Sequence, residues 1–205
     1  MPLRLDRTQR RIVGCLLEKE ATVPDAYPLT VNALLLACNQ SSNRDPVMHL
    51  AEHEVVGALR ALMQQGWAVE LELAGSRTRR YGHLANEQLG VDAADLAILA
   101  ELLLRGPQSP QELHRRASRM RALASPEEVE RRLAALAQRP VPYVRLLGRR
   151  AGERVPRWDH TLYPEGEARE PEPPPPAGDA RPGATAPLAA SAAEIVARLD
   201  ALERE

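Results

Sequence analysis

The feature that most constrains the fold is an internal repeat. Caps, apolar positions and turn residues recur in the same order at a spacing of about 77 residues. In the first copy an apolar stripe of helical periodicity predicts a helix over 7–20, and Thr30 can cap a second helix. A third helix is predicted over 51–65, followed by strands over 67–73 and 79–84. Three helices and then a β-hairpin is the order of a winged helix.

The second copy has the same order. Asp92 opens a helix, and Ser109 caps the next one, with Pro in the first helical position. Ser125 begins a capping box for the third helix, and strands are predicted over 143–147 and 155–162. The aligned pairs are Thr30 with Ser109, Leu34 with Leu113, Glu54 with Glu128, Val55 with Val129, Leu59 with Leu133, Leu62 with Leu136 and His83 with His160.

The sequence therefore predicts a mainly α fold with small β-hairpins (α+β), built as two tandem winged-helix domains over 5–87 and 91–163. Residues 164–190 are rich in Pro, Gly and charge, which predicts a disordered Pro-rich linker. Residues 191–205 have the pattern of an amphipathic C-terminal helix. A helix this short needs a partner surface. That surface is either a second copy of the helix in a coiled coil or the body of the chain itself.

Composition limits the classes of partner. The 27 basic and 28 acidic residues give a net charge of -1, so nucleic-acid binding would need a local basic patch. Cys15 and Cys38 fall on apolar helical faces, which predicts reduced, buried thiols in a cytoplasmic protein. No apolar run approaches the length of a membrane span.

Catalytic and metal-binding patterns are weak. His49 and His53 have the i, i+4 spacing of a helical metal pair, but no third ligand stands at a recognisable spacing. Cys38 with neighbouring polar residues has the residue types of a thiol enzyme, yet its apolar surroundings favour an inert thiol. No Gly-rich phosphate loop is present. We expect a protein that is not an enzyme and needs neither metal nor cofactor.

Two regions are candidate contacts for nucleic acid or for a protein partner. The first is the loop after the second helix, with amide and Arg side chains of the types that read base edges. The second is the set of hairpin arginines, which suit phosphate or minor-groove contacts. The candidates are Asn39, Gln40, Ser42, Asn43, Arg44, Arg77, Arg79, Arg80, Arg149 and Arg150. Two simpler alternatives stay open: amides that satisfy their own loop backbone, and ordinary solvated turn charge.

The third helices raise an objection to DNA binding in the usual winged-helix pose. In helix-turn-helix proteins the N-terminal part of the recognition helix enters the major groove. Here that part carries Glu52 and Glu54 in the first copy, and Glu127 and Glu128 in the second. Carboxylates suit the helix dipole but repel phosphates. Insertion of these helices into a groove is therefore doubtful, particularly in the second copy.

Several motifs resemble the bacterial YceH family, an uncharacterised group also called UPF0502 or DUF480. They are LLEKE from Leu16, TVP from Thr22, YPL from Tyr27, NAL from Asn32, ACNQ from Ala37 and NRDPV from Asn43. The resemblance covers about residues 7–163. It implies two winged-helix domains in each chain of a bacterial dimer, and it implies no established activity. One departure is Ala51, where family members tend to have Ser, so the third helix is expected to lack its N-cap.

These observations favour a non-enzymatic cytoplasmic tandem winged-helix protein that acts as a homodimer. The leading hypothesis is a transcriptional regulator that binds double-stranded DNA through the loop and the hairpins. The alternative is a protein–protein interaction adaptor that uses the same surfaces, which the acidic third helices and the neutral net charge favour.

Overall fold

The computed structural model describes residues 4–72, 78–147 and 155–167. The helices are α1 Arg7–Thr22, α2 Val31–Cys38, α3 Glu52–Gln64, α4 Ala85–Leu89, α5 Ala93–Arg105, α6 Pro110–Ala117 and α7 Pro126–Ala137. The strands are β1 Ala68–Leu71, β2 Arg80–His83, β3 Val144–Leu146 and β4 Trp158–His160, and a short 3-10 turn spans Pro24–Ala26. The prediction of a mainly α fold with small antiparallel hairpins is confirmed.

The order of three helices and a hairpin occurs twice, as α1–α2–α3–β1–β2 and α5–α6–α7–β3–β4. Each hairpin is extended by one antiparallel β-bridge from the residue before the N-cap of the second helix. The bridges join Leu29 to Tyr81 and Gln108 to Trp158. These bridging residues directly precede the caps of α2 and α6. The prediction that caps and hairpin ends recur together therefore agrees with the backbone geometry.

Two histidines make equivalent hydrogen bonds at the ends of the two hairpins. The Nδ1 atom of His83 accepts from the Ala85 N–H at 3.3 Å, and Nδ1 of His160 accepts from the Leu162 N–H at 3.2 Å. Each ring satisfies the backbone two residues further along the chain. The two histidines, which the repeat aligns, therefore have the same structural role.

Helix α1 lies at the centre of the described structure. Asp6 caps it, because the Asp6 carboxylate accepts from the Gln9 N–H while the Gln9 side chain accepts from the Asp6 N–H. Every residue from 9 to 18 is buried, the charged ones included. A helix that is covered all round needs partners on every face.

The two repeats meet where α1 packs on α5. A Cβ atom added at Gly14 would lie 2.8 Å from Cγ of Leu104, so glycine allows the close approach of the helices. Leucines of both helices join one continuous hydrophobic core that reaches α2 and α3 on one side and α6 and α7 on the other. Residues from both repeats therefore contribute to one packed interior.

Several local predictions need correction. Helix α4 was not predicted, because five residues are too few to display a helical period. The Ser125 cap is present, but the Glu128 side chain accepts from the Ala124 N–H rather than from Ser125, so the predicted capping box is only half formed. Ala51 provides no side-chain cap, as expected, although its N–H donates to Glu54.

The predicted C-terminal segments are only partly described. Residues 164–167 lie against the start of the chain, where Glu167 pairs with Arg10. The rest of the predicted linker and the amphipathic helix over 191–205 lie outside the described residues. Within the described ranges no helix is both long and apolar enough to cross a membrane.

Candidate nucleic-acid interface

The loop after α2 is held by its own side chains. The Asn39 amide pairs with the backbone of Leu50, donating to its carbonyl at 2.9 Å and accepting from its N–H at 2.8 Å. This pair closes the loop between α2 and α3. Asn39 therefore fits the simpler alternative, in which an amide side chain satisfies the backbone of its own loop.

Arg44 points into the protein and not toward a partner. Its side chain is fully buried, and both of its terminal nitrogens donate to the Glu18 carboxylate. Its Nε donates to the Ala37 carbonyl at 3.0 Å, and Gln40 accepts from Nη2 at 2.8 Å. Arg44 and Gln40 thus pin the loop to α1, and Arg44 is not available for a base contact.

Glu18 joins the two repeats. Besides Arg44 it accepts from Arg119 at 2.5 Å, and Arg119 also donates to Glu101 of α5 at 2.7 Å. Burial alone would raise the pKa of Glu18, but the hydrogen bonds and charges of the two arginines outweigh it and hold the pKa below its usual range. This network could not be predicted from the sequence, since its members lie far apart in the chain.

The remaining loop candidates are exposed. Asn43 has a positive φ of 59°, which Asn tolerates better than most residues, and its side chain accepts from Arg105 at 2.5 Å. Ser42 is exposed at the tip of the loop. Of the five loop candidates, Ser42 and Asn43 are the two that a partner could contact without the loss of a buried hydrogen bond.

Arg80 is a structural residue of the first hairpin. Its Nη1 donates to the carbonyls of Pro28 at 2.8 Å and of Ala26 at 3.3 Å. These bonds tie β2 to the chain before α2. Arg77, Arg149 and Arg150 lie outside the described residues.

Arg79 is the hairpin candidate that faces solvent. Its side chain is 68% exposed and lies 3.3 Å from the Glu70 carboxylate of the neighbouring strand. A shallow cleft of about 80 Å³ separates the hairpin from α3, and it is lined by Arg79, Glu70, Tyr81 and Arg60. Val56, Leu59 and Met63 of α3 complete the lining. An arginine of the third helix and an arginine of the hairpin thus line the same cleft.

Arg60 was missed by the sequence analysis. It lies on the exposed face of α3, opposite the buried stripe of Val55, Leu59 and Leu62. Its position off that stripe predicts exposure, but nothing in the sequence connects it to β1 and β2. Burial and the nearby Glu70 carboxylate raise the pKa of Tyr81 in the same cleft, and the Tyr81 hydroxyl donates to Glu70 at 3.2 Å.

The middle of α3 has an open surface at Gly57. A Cβ atom built there meets nothing within 4 Å, and His53 and Gln64 are exposed on the same side of the helix. Glycine in a helix interior costs about 1 kcal/mol relative to Ala. No contact within the described protein explains that cost.

Catalytic candidates find little support in the geometry. Cys15 and Cys38 are both fully buried, as predicted, and neither is in a disulfide. The Cys38 thiol donates a hydrogen bond to Cys15, and this bond together with burial raises the pKa of Cys38, which opposes formation of a thiolate there. Among the described residues no three His, Cys, Asp or Glu side chains are grouped to hold a metal ion.

The fold and these contacts define a class: a mainly α-helical protein built from two copies of a helix–helix–helix–hairpin unit that share one core. The family model described as "Protein of unknown function, DUF480" matches residues 5–153. The chain belongs to this family, as its motifs indicated.

Similar proteins agree with that assignment. A UPF0502 protein of Geobacter sulfurreducens is 48% identical over 80% of this chain and 75% of its own length. One of Chromobacterium violaceum is 46% identical over 79% of this chain and 74% of its own. A UPF0502 protein of an Enterobacter strain is 39% identical, with 100% of this chain and 92% of its own covered.

Proposed function

We infer that this chain is a non-enzymatic tandem winged-helix protein of the cytoplasm that binds duplex DNA through its first repeat. In this proposal α3 and the β1–β2 hairpin form the contact, and the second repeat supports them. The observation that carries the proposal is the shared cleft of Arg60 and Arg79, since it combines a third-helix cation with a hairpin cation.

Two guanidinium groups at the junction of a helix and a hairpin suit the phosphate backbone. Phosphate contacts position a protein on the duplex, and Arg is well suited to them because its planar fork can bind two oxygens. Glu70 lies 3.3 Å from Arg79 and would share that arginine with a phosphate. Arg60 therefore supplies the larger part of the attraction in this proposal.

Gly57 supports an approach along α3. A helix that must come close to another surface benefits from a position without a side chain. The stripe formed by His53, Gly57, Arg60 and Gln64 has no carboxylate, unlike the start of the helix. Glu52 and Glu54 keep their negative charges in the first turn, so the proposed contact lies further along α3, at Gly57 and Arg60.

A titration of a labelled random-sequence duplex tests the proposal. The full chain should bind with an affinity that falls as salt rises, with a slope of about 0.9 per phosphate contacted. The double variant Arg60→Ala with Arg79→Ala should bind more weakly and with a shallower slope. Arg115→Ala, an exposed arginine of α6, is the matched control and should leave both unchanged. Absence of binding by the full chain at low salt would refute the proposal.

The adaptor function is the second candidate, and exposed apolar side chains favour it. Leu36 of α2 is 64% exposed, and Val47 in the following loop is 42% exposed. A leucine at this exposure suits a protein partner, which includes a second copy of the chain in the expected homodimer. Sedimentation of the wild type and of Leu36→Asp tests this: a dimer that the substitution dissociates supports a protein-binding role for α2.

A further inference from the structure

A second cleft lies at the N-terminal part of α1. Its volume is about 340 Å³, within the range of small-ligand sites. It is lined by Arg7, Arg10 and Arg11 of α1 and by Leu102 and Leu103 of α5. The cleft therefore combines cationic and apolar side chains.

The Arg10 guanidinium in this cleft already binds a carboxylate. Its two terminal nitrogens donate to the two oxygens of Glu167 at 2.9 and 2.5 Å, and its carbon lies 4.5 Å from the centre of the Tyr163 ring. The Arg10 side chain is only 8% exposed. A buried, fork-like guanidinium that rests on an aromatic ring is a strong and specific binder of carboxylates.

The carboxylate comes from a short strap at the chain's own surface. The strap, residues 162–167, is joined to the N-terminal segment by the Leu5 N–H, which donates to the Leu162 carbonyl at 2.9 Å. A second pair, Arg4 with Glu165, is longer, at 3.6 Å, and Glu165 is 90% exposed. Glu167 thus provides the shorter of the two charged contacts between the strap and the N-terminal part of the chain.

Arg11 adds an unsatisfied donor to the same cleft. Its terminal nitrogens donate to the carbonyls of Cys38 and Pro46, but its buried Nε has no hydrogen-bond partner within the described structure. Arg7 lines the same cleft and is exposed. With Glu167 in place the cleft holds three arginines and two carboxylates, Asp45 being the other; without Glu167 the excess of positive charge rises from one to two.

We propose that this cleft is a binding site for a small carboxylic acid with an apolar body, and that Glu167 occupies its carboxylate position as a built-in competitor. The ligand's carboxylate would replace Glu167 on Arg10 beside Tyr163. Its apolar body would lie against Leu102, Leu103 and Met48. The site goes beyond the proposed DNA contact and shares no residue with it.

Calorimetric titration of the full chain with benzoate and octanoate tests the proposal. Glu167→Gln removes the competing charge and keeps the shape of the strap, so it should bind at least one acid about tenfold more tightly than the wild type. Adding Arg7→Gln to that variant should weaken binding several-fold by removing a positive charge from the cleft. Arg115→Gln in the same background is the control and should have no effect.

Other results would overturn the proposal. If Glu167→Gln binds neither acid, or binds it no more tightly than the wild type does, Glu167 is not a competitor for a carboxylate site. Arg10→Gln gives a second check, because a correctly folded variant that still binds contradicts the role of Arg10. Inorganic phosphate that binds Glu167→Gln as tightly as either acid would refute the apolar part of the site.

Discussion

The third helices of the two repeats, α3 and α7, occupy equivalent places and are stabilised differently. Ser125 caps α7, and Arg132 on that helix binds the carboxylates of Glu128, Asp92 and Asp95, each at 2.9 Å. Helix α3 has Ala at its cap position and Gly57 in its middle. In the second repeat, polar side chains of α7 make contacts that stabilise the fold. In the first repeat, α3 lacks a side-chain cap and has a glycine in its middle, so it is less stable than its length would allow. Such a difference is typical of a surface retained for function.

The largest expected effect concerns the joint that the two repeats share. Glu18→Gln leaves Arg44 buried without its carboxylate, so we expect a loss of about 3 kcal/mol in the free energy of unfolding. Urea denaturation measures it. A loss well below 1 kcal/mol would mean that the stability of the two repeats does not depend on the Glu18 network. The third helices would then have to be compared as parts of two independent units.

The acid dependence of stability provides the control for that prediction. The folded pKa of Glu18 is held below the usual value of 4.5 for a glutamate, so its stabilisation is present above about pH 4.5 and is lost as the pH falls through the folded pKa. Glu18→Gln should therefore lose less stability than the wild type between neutral and acid pH. Parallel acid profiles would show that Glu18 is not the group that titrates.

Removing Arg132 from α7 and Arg60 from α3 should lower stability to different degrees. Arg132→Ala leaves three carboxylates near one another, and we expect a cost of about 1 kcal/mol for this partly exposed cluster. Arg60→Ala should change stability by less than about 0.5 kcal/mol. Thermal unfolding measures both variants. Equal losses of stability for Arg132→Ala and Arg60→Ala would contradict the claim that Arg132 stabilises the fold and Arg60 does not.

The caps give a matched pair of smaller effects. Ser125→Ala should lower the free energy of unfolding by about 1 kcal/mol, since the serine hydroxyl accepts from the Glu128 N–H. Ala51→Ser should raise it by a similar or smaller amount. If Ala51→Ser also lowers the free energy of unfolding, the loop before α3 already supplies the N-cap contact that a serine side chain would provide.

Gly57→Ala is the smallest change and tests the middle of α3. The added methyl group meets open space, so stability should rise by about 0.5 to 1 kcal/mol. If Gly57 allows close approach to DNA, the same variant should bind duplex more weakly although it is more stable. A variant that is more stable and binds equally well would remove Gly57 from the proposed contact.

Most of the fold could be predicted because caps and apolar periods are local signals. Thr30, Asp92 and Ser109 each open the helix that the sequence assigned to them. The candidate contacts could not be predicted in the same way. Arg44 looks like a loop cation, but Glu18 lies 26 residues away and meets it only when α1 packs against the loop.

Arg60 illustrates the opposite failure. A charged residue on the outer face of a helix resembles many others in sequence, and its nearness to Arg79 depends on how the hairpin folds over α3. Charge in the loops and hairpins could be read from the sequence, whereas the division between buried and available charge required the tertiary structure.

The central claim is that the outer face of α3, and not that of α7, contacts DNA. The most direct test compares Arg60→Glu with Arg131→Glu in duplex binding at about 50 mM salt, because both residues are exposed on equivalent helices. The account predicts that Arg60→Glu weakens binding about tenfold or more, while Arg131→Glu leaves it within about twofold. Equal losses, or a larger loss for Arg131→Glu, would contradict it.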